Sequence, residues 1–257
     1  MRRAPSLDKL PILDALNAAR GCIFCELEAD DERRIIEDYL RESVMDPEHR
    51  SEIETVGLCN SHVYQMLAAG DVLGSAITIG ALLRAGINAG LCGHDPYAAG
   101  VGRRGRLGGP RALGGLRVPA EAMPRFGQSC VFCRALEARV RRRTDTFMRL
   151  YAESDEFRRE FAASRALCVP HGRQLAASAA TTRVLRPELH SALVDDVTGV
   201  LNTTAAELGL KLDWFIQKHD YRYHDSDWNG SQDAPWEAAR FLLGRAGAVN
   251  QARMPKV

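Results

Sequence analysis

The sequence predicts an all-α fold, in which two duplicated, metal-clamped helical hairpins pack with a long C-terminal amphipathic helix. A cysteine–histidine pattern occurs twice in the 257-residue chain, and apolar residues after each cysteine pair recur at helical spacing. A further apolar stripe runs through residues 188–217. The hydrophobic content of 46% and the charged content of 26% are those of a globular protein.

Three features of the sequence predict the cellular location of the protein. Charged residues interrupt the apolar residues of MRRAPSLDKLPIL, so a signal peptide is not predicted. The odd cysteine count of seven argues against a disulfide framework, and we expect a reducing, cytoplasmic location. The longest apolar run, Val72–Leu83, is shorter than the roughly 20 residues that span a bilayer, so we expect a buried helix and no membrane contact.

Six of the seven cysteines belong to a motif that occurs twice. The first copy is Cys22-x-x-Cys25, followed after 33 residues by Cys59-x-x-His62. The second copy is Cys130-x-x-Cys133, followed after 34 residues by Cys168-x-x-His171. An internal duplication explains the repeated order and spacing of four ligand-type residues.

Each copy of the motif has the ligands of a metal site. Two residues at x-x spacing in the first turn of a helix point the same way, so two neighbouring helix starts converge four ligands on one point. We therefore expect each copy to hold one ion, the first through Cys22, Cys25, Cys59 and His62, and the second through Cys130, Cys133, Cys168 and His171. Three thiolates and one imidazole suit a closed, structural Zn²⁺ site, and two zinc ions per chain are predicted.

Three other interpretations of the motif remain open. The cysteines could be buried free thiols, or each Cys-x-x-Cys could be a thioredoxin-like redox pair, although no strand is predicted before either pair. Iron–sulfur clusters are the third alternative, because thiolate ligands suit iron as well as zinc. The duplication favours metal sites, and the ligand pattern favours zinc over iron.

The chain divides into four predicted segments. The first repeat covers residues 1–89 and the second covers residues 126–185; after each cysteine pair, apolar residues follow one helical face. Residues 90–125 are rich in Gly and Arg and predict a linker or surface loop. Residues 186–257 predict a long helix that begins near Pro187, a polar turn, and a short helix with Asp233 as a candidate N-cap.

The segment 90–125 carries two further candidates for binding. Its arginines could contact the phosphates of nucleic acid, although the aromatic residues that would stack on bases are nearly absent: Arg103, Arg104, Arg106, Arg111 and Arg117. Cys92 and His94 could form half of a metal site. A solvated linker with a stray Cys–His pair is the plainer interpretation.

A polar and aromatic cluster, KHDYRYHDSDWNG, follows the long helix at residues 218–230. It offers a possible secondary site for acid–base chemistry or ligand binding, formed by His219, Asp220, Arg222, His224 and Asp225. The end of a helix also collects such residues for structural reasons, because basic side chains meet the last carbonyls there and aromatic rings seal the junction.

The paired CxxC and CxxH motifs, the long helix and the terminal HDYRY…W segment resemble an uncharacterised bacterial family of tandem Cys-x-x-Cys, Cys-x-x-His proteins. The resemblance covers most of the chain, except the Gly/Arg-rich insert, and implies a helical fold and the metal ligands without implying a reaction. We therefore predict a zinc-stabilised adaptor that binds an unknown protein partner. A redox or iron–sulfur protein that transfers electrons or senses oxidants is the alternative.

Overall fold

The computed structural model describes residues 7–18, 21–88, 130–223 and 225–245, and within these residues it contains helices and no strand. The all-α prediction is confirmed. The helices are α1 (Leu10–Ala18), α2 (Ile23–Asp38), α3 (Pro47–Val56), α4 (Asn60–Ala68), α5 (Val72–Asn88), α6 (Val131–Glu153), α7 (Asp155–Ala162), α8 (Val169–Thr181), α9 (Pro187–Lys218) and α10 (Ala234–Leu243). A π-helical turn, Tyr39–Ser43, extends α2, and a 3₁₀ turn, Tyr221–Tyr223, follows α9. The candidate ligands Cys92 and His94 and the arginines of segment 90–125 lie outside the described residues.

The chain forms two compact units, and the repeats of the sequence do not coincide with them. Unit 1 consists of Met1–Arg33 and Leu136–Val257, and unit 2 consists of Arg34–Ala135. The borders fall inside α2 and α6, so each of these helices begins in one unit and ends in the other. The sequence had suggested a division between the repeats instead.

Unit 1 has an aromatic core around Phe147 of α6, whose side chain is completely buried. Its ring lies 5.6 Å from that of Phe24, 5.2 Å from that of Phe157 and 5.0 Å from that of Phe161. Helix α9 covers this core with Leu193, Val197 and Val200, and it packs against α7, α8 and α10. The apolar stripe of α9 is thus what anchors the long helix.

The two C-terminal helices begin near the positions that the sequence predicts. Helix α9 starts at Pro187, where a proline costs no hydrogen bond because the first amide of a helix has no partner. Asp233 is the N-cap residue of α10, but its side chain makes no capping hydrogen bond. Its backbone oxygen instead accepts from the amides of Trp236 and Glu237.

Unit 2 is organised around α5, which packs against α3 and α4. The hydroxyl of Tyr39 lies 2.8 Å from that of Thr78 on α5, and the Tyr39 ring meets Phe132 edge-on at 5.2 Å. The run Val72–Leu83 forms a helix as predicted, but it is buried on one side only, because Val72, Leu73 and Leu83 are more than half exposed. Among the described residues, no helix is both long and apolar enough to cross a membrane.

Candidate metal centres

The two Cys-x-x-Cys pairs and the two Cys-x-x-His pairs each lie at the start of a helix. Cys59 and Cys168 are the N-cap residues of α4 and α8, while α2 and α6 begin one residue after Cys22 and Cys130. The second residue of each motif follows three positions later, in the first turn. Side chains at the N-cap and at the third helical position meet on the same side of a helix, as they do in a capping box.

The structure groups the eight residues into two sites, but not as the sequence suggested. Site 1, in unit 1, combines Cys22 and Cys25 with Cys168 and His171, whereas site 2, in unit 2, combines Cys59 and His62 with Cys130 and Cys133. Each site therefore takes its cysteine pair from one repeat and its Cys-x-x-His from the other. The expectation that each repeat completes its own site is wrong.

In each repeat the helix after the cysteine pair is much longer than the helix that follows it. Helix α2 and its π-helical turn contain 16 and 5 residues, which rise about 30 Å, whereas the following α3 has 10 residues and rises about 15 Å. Helix α6 has 23 residues and α7 only 8, about 35 Å against about 12 Å. The cysteine pair and the Cys-x-x-His motif of the same repeat belong to different units.

The two sites are built alike in their backbones and their packing. The amide of Ile23 donates to the carbonyl of Ala166 at 3.0 Å in site 1, and that of Val131 donates to the carbonyl of Gly57 at 3.3 Å in site 2. These pairs occupy matching positions in the motifs. In each site the phenylalanine of the cysteine pair also packs on the histidine, with ring centroids 5.5 Å apart for Phe24–His171 and 5.7 Å apart for Phe132–His62.

In site 1 the four ligand atoms surround one point. Nδ1 of His171 lies 3.1 Å from Sγ of Cys168, 3.4 Å from Sγ of Cys25 and 3.5 Å from Sγ of Cys22. The sulfurs of Cys25 and Cys168 are 3.7 Å apart, and no two of the four atoms are more than 4.8 Å apart. Cys168 and His171 are buried, while Cys22 and Cys25 are partly exposed.

Site 2 has nearly the same dimensions. Nδ1 of His62 lies 3.1 Å from Sγ of Cys59 and 3.4 Å from the sulfurs of both Cys130 and Cys133. The sulfurs of Cys59 and Cys133 are 3.8 Å apart. His62 and Cys130 are buried, but Cys133 is exposed, so one thiol of this site is open to solvent reagents.

The electrostatics of site 1 favour a thiolate beside an imidazolium when no cation is bound. Hydrogen bonds from Cys22 and Cys25, and then from His171, hold the pKa of Cys168 well below its usual range. Burial would lower the pKa of His171, but its hydrogen bonds with Cys168, Cys22 and Glu28 outweigh burial and raise this pKa to about 12. Hydrogen bonds to Cys168 and Cys22 raise the pKa of Cys25.

Site 2 also has one low and one high thiol pKa. Burial acts to raise the pKa of Cys130, but the hydrogen bond with His62 and those with the backbones of Cys59 and Cys133 lower it to about 6. Burial, together with the nearby Cys130 and Cys59, raises the pKa of Cys133. Each site thus holds one ready thiolate, and a cation that binds there displaces protons from the remaining ligands.

Glu28 distinguishes the two sites, and the sequence analysis missed it. Its Oε1 lies 2.9 Å from Nε2 of His171, the nitrogen opposite the one that faces the sulfurs. A carboxylate at this position holds a metal-binding histidine in the correct tautomer and makes it a stronger ligand. Glu28 follows Cys25 by three residues, one helical turn, and that spacing was the available signal; the matching residue after Cys133 is Leu136.

The side chains of the polar cluster after α9 contact one another and the end of α9. The ring of His219 packs against those of Phe215 at 4.9 Å and Trp228 at 5.9 Å. Asp220 forms an ion pair of 2.7 Å with the guanidinium of Arg222, which lowers the pKa of the Asp220 carboxyl. Asp225 is exposed, and His224 lies outside the described residues. These contacts have the character of a helix-end junction.

Comparison with known proteins identifies the family without an activity. The chain is 25% identical over 224 residues to an "Uncharacterized 23.9 kDa protein in xynA 3'region" of Caldicellulosiruptor sp. (strain Rt8B.4). That alignment covers 87% of this chain and 95% of the relative. No solved structure matches the chain. Residues 3–249 match the Family of unknown function (DUF6062), and the chain therefore belongs to that family.

Proposed function

We propose that the protein binds two zinc ions, one in each Cys₃His site, and that these ions stabilise a helical adaptor which acts by binding. The observation that carries this proposal is the size of the sites. Zinc lies about 2.3 Å from a thiolate and about 2.0–2.1 Å from an imidazole, so a tetrahedral Cys₃His site has sulfur–sulfur edges of about 3.8 Å and sulfur–nitrogen edges of about 3.5 Å. The sulfur–sulfur distances of 3.7 and 3.8 Å and the sulfur–nitrogen distances of 3.1–3.5 Å are close to these values.

The same dimensions argue against an iron–sulfur cluster. In a cluster the protein ligands bind different iron atoms that are joined by sulfides, so the ligand atoms must stand further apart than around a single ion. Four ligand atoms within 4.8 Å of one another suit one ion per site. A single iron in place of zinc is the form of the redox alternative that these distances accommodate.

The chemistry of a closed site supports a structural rather than a catalytic role. Four protein ligands leave zinc no open position for water or substrate. Six metal-binding thiolates also suit a reducing compartment, in keeping with the predicted cytoplasmic location. Contact with nucleic acid through the arginines of segment 90–125 remains a prediction, because these residues lie outside those described.

Metal analysis tests both the number of ions and the way the ligands are shared. Protein purified without oxygen should contain two zinc atoms per chain. Cys59→Ser and Cys130→Ser should each lose one zinc, and the double variant should lose no more, because both cysteines belong to site 2. Combining Cys59→Ser with Cys168→Ser should remove both ions. If Cys59 and Cys130 removed different ions, the proposed sites would be wrong.

The same preparations separate zinc from iron. A colourless protein with two zinc atoms agrees with the proposal. A coloured protein with absorption from thiolate-bound iron and no sulfide would indicate two mononuclear iron sites. Iron accompanied by inorganic sulfide would indicate clusters and would contradict the argument from ligand distances.

A further inference from the structure

A cleft of about 510 Å³ opens between α6 and α8 in unit 1. Residues three or four positions apart on each helix line it, so α6 and α8 each present a single face to the cleft. The turn that follows α8 completes the lining. None of the described residues that line the cleft is a candidate metal ligand. Its volume is that of a binding site for a small molecule.

Three arginines line this cleft: Arg141 and Arg149 of α6, and Arg183 in the turn after α8. Arg149 and Arg183 are exposed, and neither forms an ion pair with any residue that the structure describes. Arg141 forms an ion pair of 2.6 Å with Glu137, which lies outside the lining. Guanidinium groups bind phosphate and carboxylate through paired hydrogen bonds, so the cleft is suited to an anionic ligand.

The rest of the lining limits the choice of anion. Asp145 is the one acidic residue among the described lining residues, and three guanidiniums with one carboxylate give the lining a net charge of +2. Met148, which is 1% exposed, and Val184, which is 40% exposed, add apolar surface. The side chain of Gln174 makes no hydrogen bond within the described part of the chain. The cleft therefore offers sites for a dianion, for an apolar group and for hydrogen-bonding groups.

We propose that this cleft binds a phosphorylated small molecule, with the phosphate against the arginines and the organic part against Met148 and Val184. A phosphate monoester carries a charge of about −1.5 to −2 at pH 7, which matches the charge of the lining. Asp145 and Gln174 accept hydrogen bonds from hydroxyl or amino groups of the organic part. The proposal goes beyond the zinc-stabilised adaptor and is independent of the metal sites.

Titration calorimetry with the full-length, metal-loaded protein tests this proposal. The probes are inorganic phosphate, glucose 6-phosphate and adenosine 5′-monophosphate. Phosphate should bind once per chain, and at least one ester should bind more tightly than phosphate, because its organic part adds contacts. Absence of binding by all three probes at millimolar concentration, or esters that bind no more tightly than phosphate, would overturn the proposal.

Substitution of the arginines locates the binding. Arg149→Gln and Arg183→Gln should each weaken ester binding about 10–100-fold, because each removes hydrogen bonds between charged groups. Arg173→Gln is the matched control and should bind like the wild type. Arg173 is exposed on α8, lies outside the lining and forms no ion pair with any described residue. Equal weakening by all three substitutions would show that overall charge attracts the ligand, and would overturn the assignment to the cleft.

A change of shape without a change of charge gives a second test. Gln174→Trp places a large ring in the cleft and should weaken ester binding, while helical content and metal content stay as in the wild type. Ester binding that is unaffected by Gln174→Trp would contradict the proposed position of the ligand. Citrate that binds more tightly than every ester would overturn the choice of phosphate. A single-stranded oligonucleotide that binds when the esters do not would assign the arginines to a nucleic-acid surface instead.

Discussion

Glu28 should make site 1 bind its metal more tightly than site 2. Its carboxylate lies 2.9 Å from Nε2 of His171, so it accepts that N–H and leaves the Nδ1 lone pair for the metal. Removal of such a carboxylate typically lowers metal affinity 10–100-fold, which corresponds to about 1.4–2.7 kcal/mol. Glu28→Gln keeps the shape of the side chain and removes the charge. We expect it to weaken site 1 by this amount.

Release of zinc to a coloured chelator measures the effect. The wild type should lose its two ions in two phases of one equivalent each, and the fast phase should come from site 2, which has Leu136 at the position that matches Glu28 and has the exposed Cys133. Glu28→Gln should accelerate the slow phase 10–100-fold and leave the fast phase unchanged. Cys59→Ser assigns the phases, because this variant should keep only the ion of site 1.

Glu26→Gln is the matched control for Glu28→Gln. Glu26 is exposed in the same first turn of α2 and carries the same charge, but its side chain makes no hydrogen bond or ion pair with a ligand among the described residues. The control should release zinc like the wild type. Equal acceleration by both substitutions would show that the net charge near the helix start controls release. No acceleration by either would refute the argument that Glu28 acts through His171.

Two further predictions follow from buried charges and from the pKa values. Asp31 is 3% exposed and accepts two hydrogen bonds of 3.1 Å from Arg143. Asp31→Ala should therefore lower the free energy of unfolding by about 3–5 kcal/mol in urea titrations. Asp30→Ala removes an exposed ion pair with Arg33 and should lower it by less than about 1 kcal/mol. Binding of zinc to metal-free protein at pH 7 should release protons, because the pKa of His171 is raised to about 12 and the metal must displace that proton. Calorimetry in buffers of different ionisation enthalpy counts the released protons. Binding without proton release would contradict the raised pKa of His171.

The sequence contained enough information for the fold class and for the eight cysteine and histidine residues that the structure gathers into two candidate metal sites. Helical periodicity and helix-start signals are local, so Pro187 indicated the start of α9 and the x-x spacing indicated a shared helix turn. The repeated motif made these residues stand out, because a chance match would have to occur twice in one chain. Each of these predictions depended on residues within a few turns of one another.

The grouping of the ligands was not available from the same signals. Which Cys-x-x-His meets which cysteine pair depends on contacts between residues that are far apart in the sequence, such as Cys25 with Cys168 and Cys59 with Cys133, and local signals do not predict such contacts. The exposed side of α5 was missed for a related reason. An apolar run predicts burial, but it does not tell which sides of the helix are covered.

The sharing of ligands between repeats also explains why metal ions are suited to this fold. Site 1 joins Cys25 to Cys168 across 143 positions, and site 2 joins Cys59 to Cys133 across 74. Closing a loop of such length costs about 5 kcal/mol of chain entropy, because the cost grows only slowly with length. Zinc in small structural sites supplies about 10–16 kcal/mol, which exceeds that cost. One ion in each unit can therefore hold together distant segments of the chain, and neither repeat has the ligands in place to do so by itself.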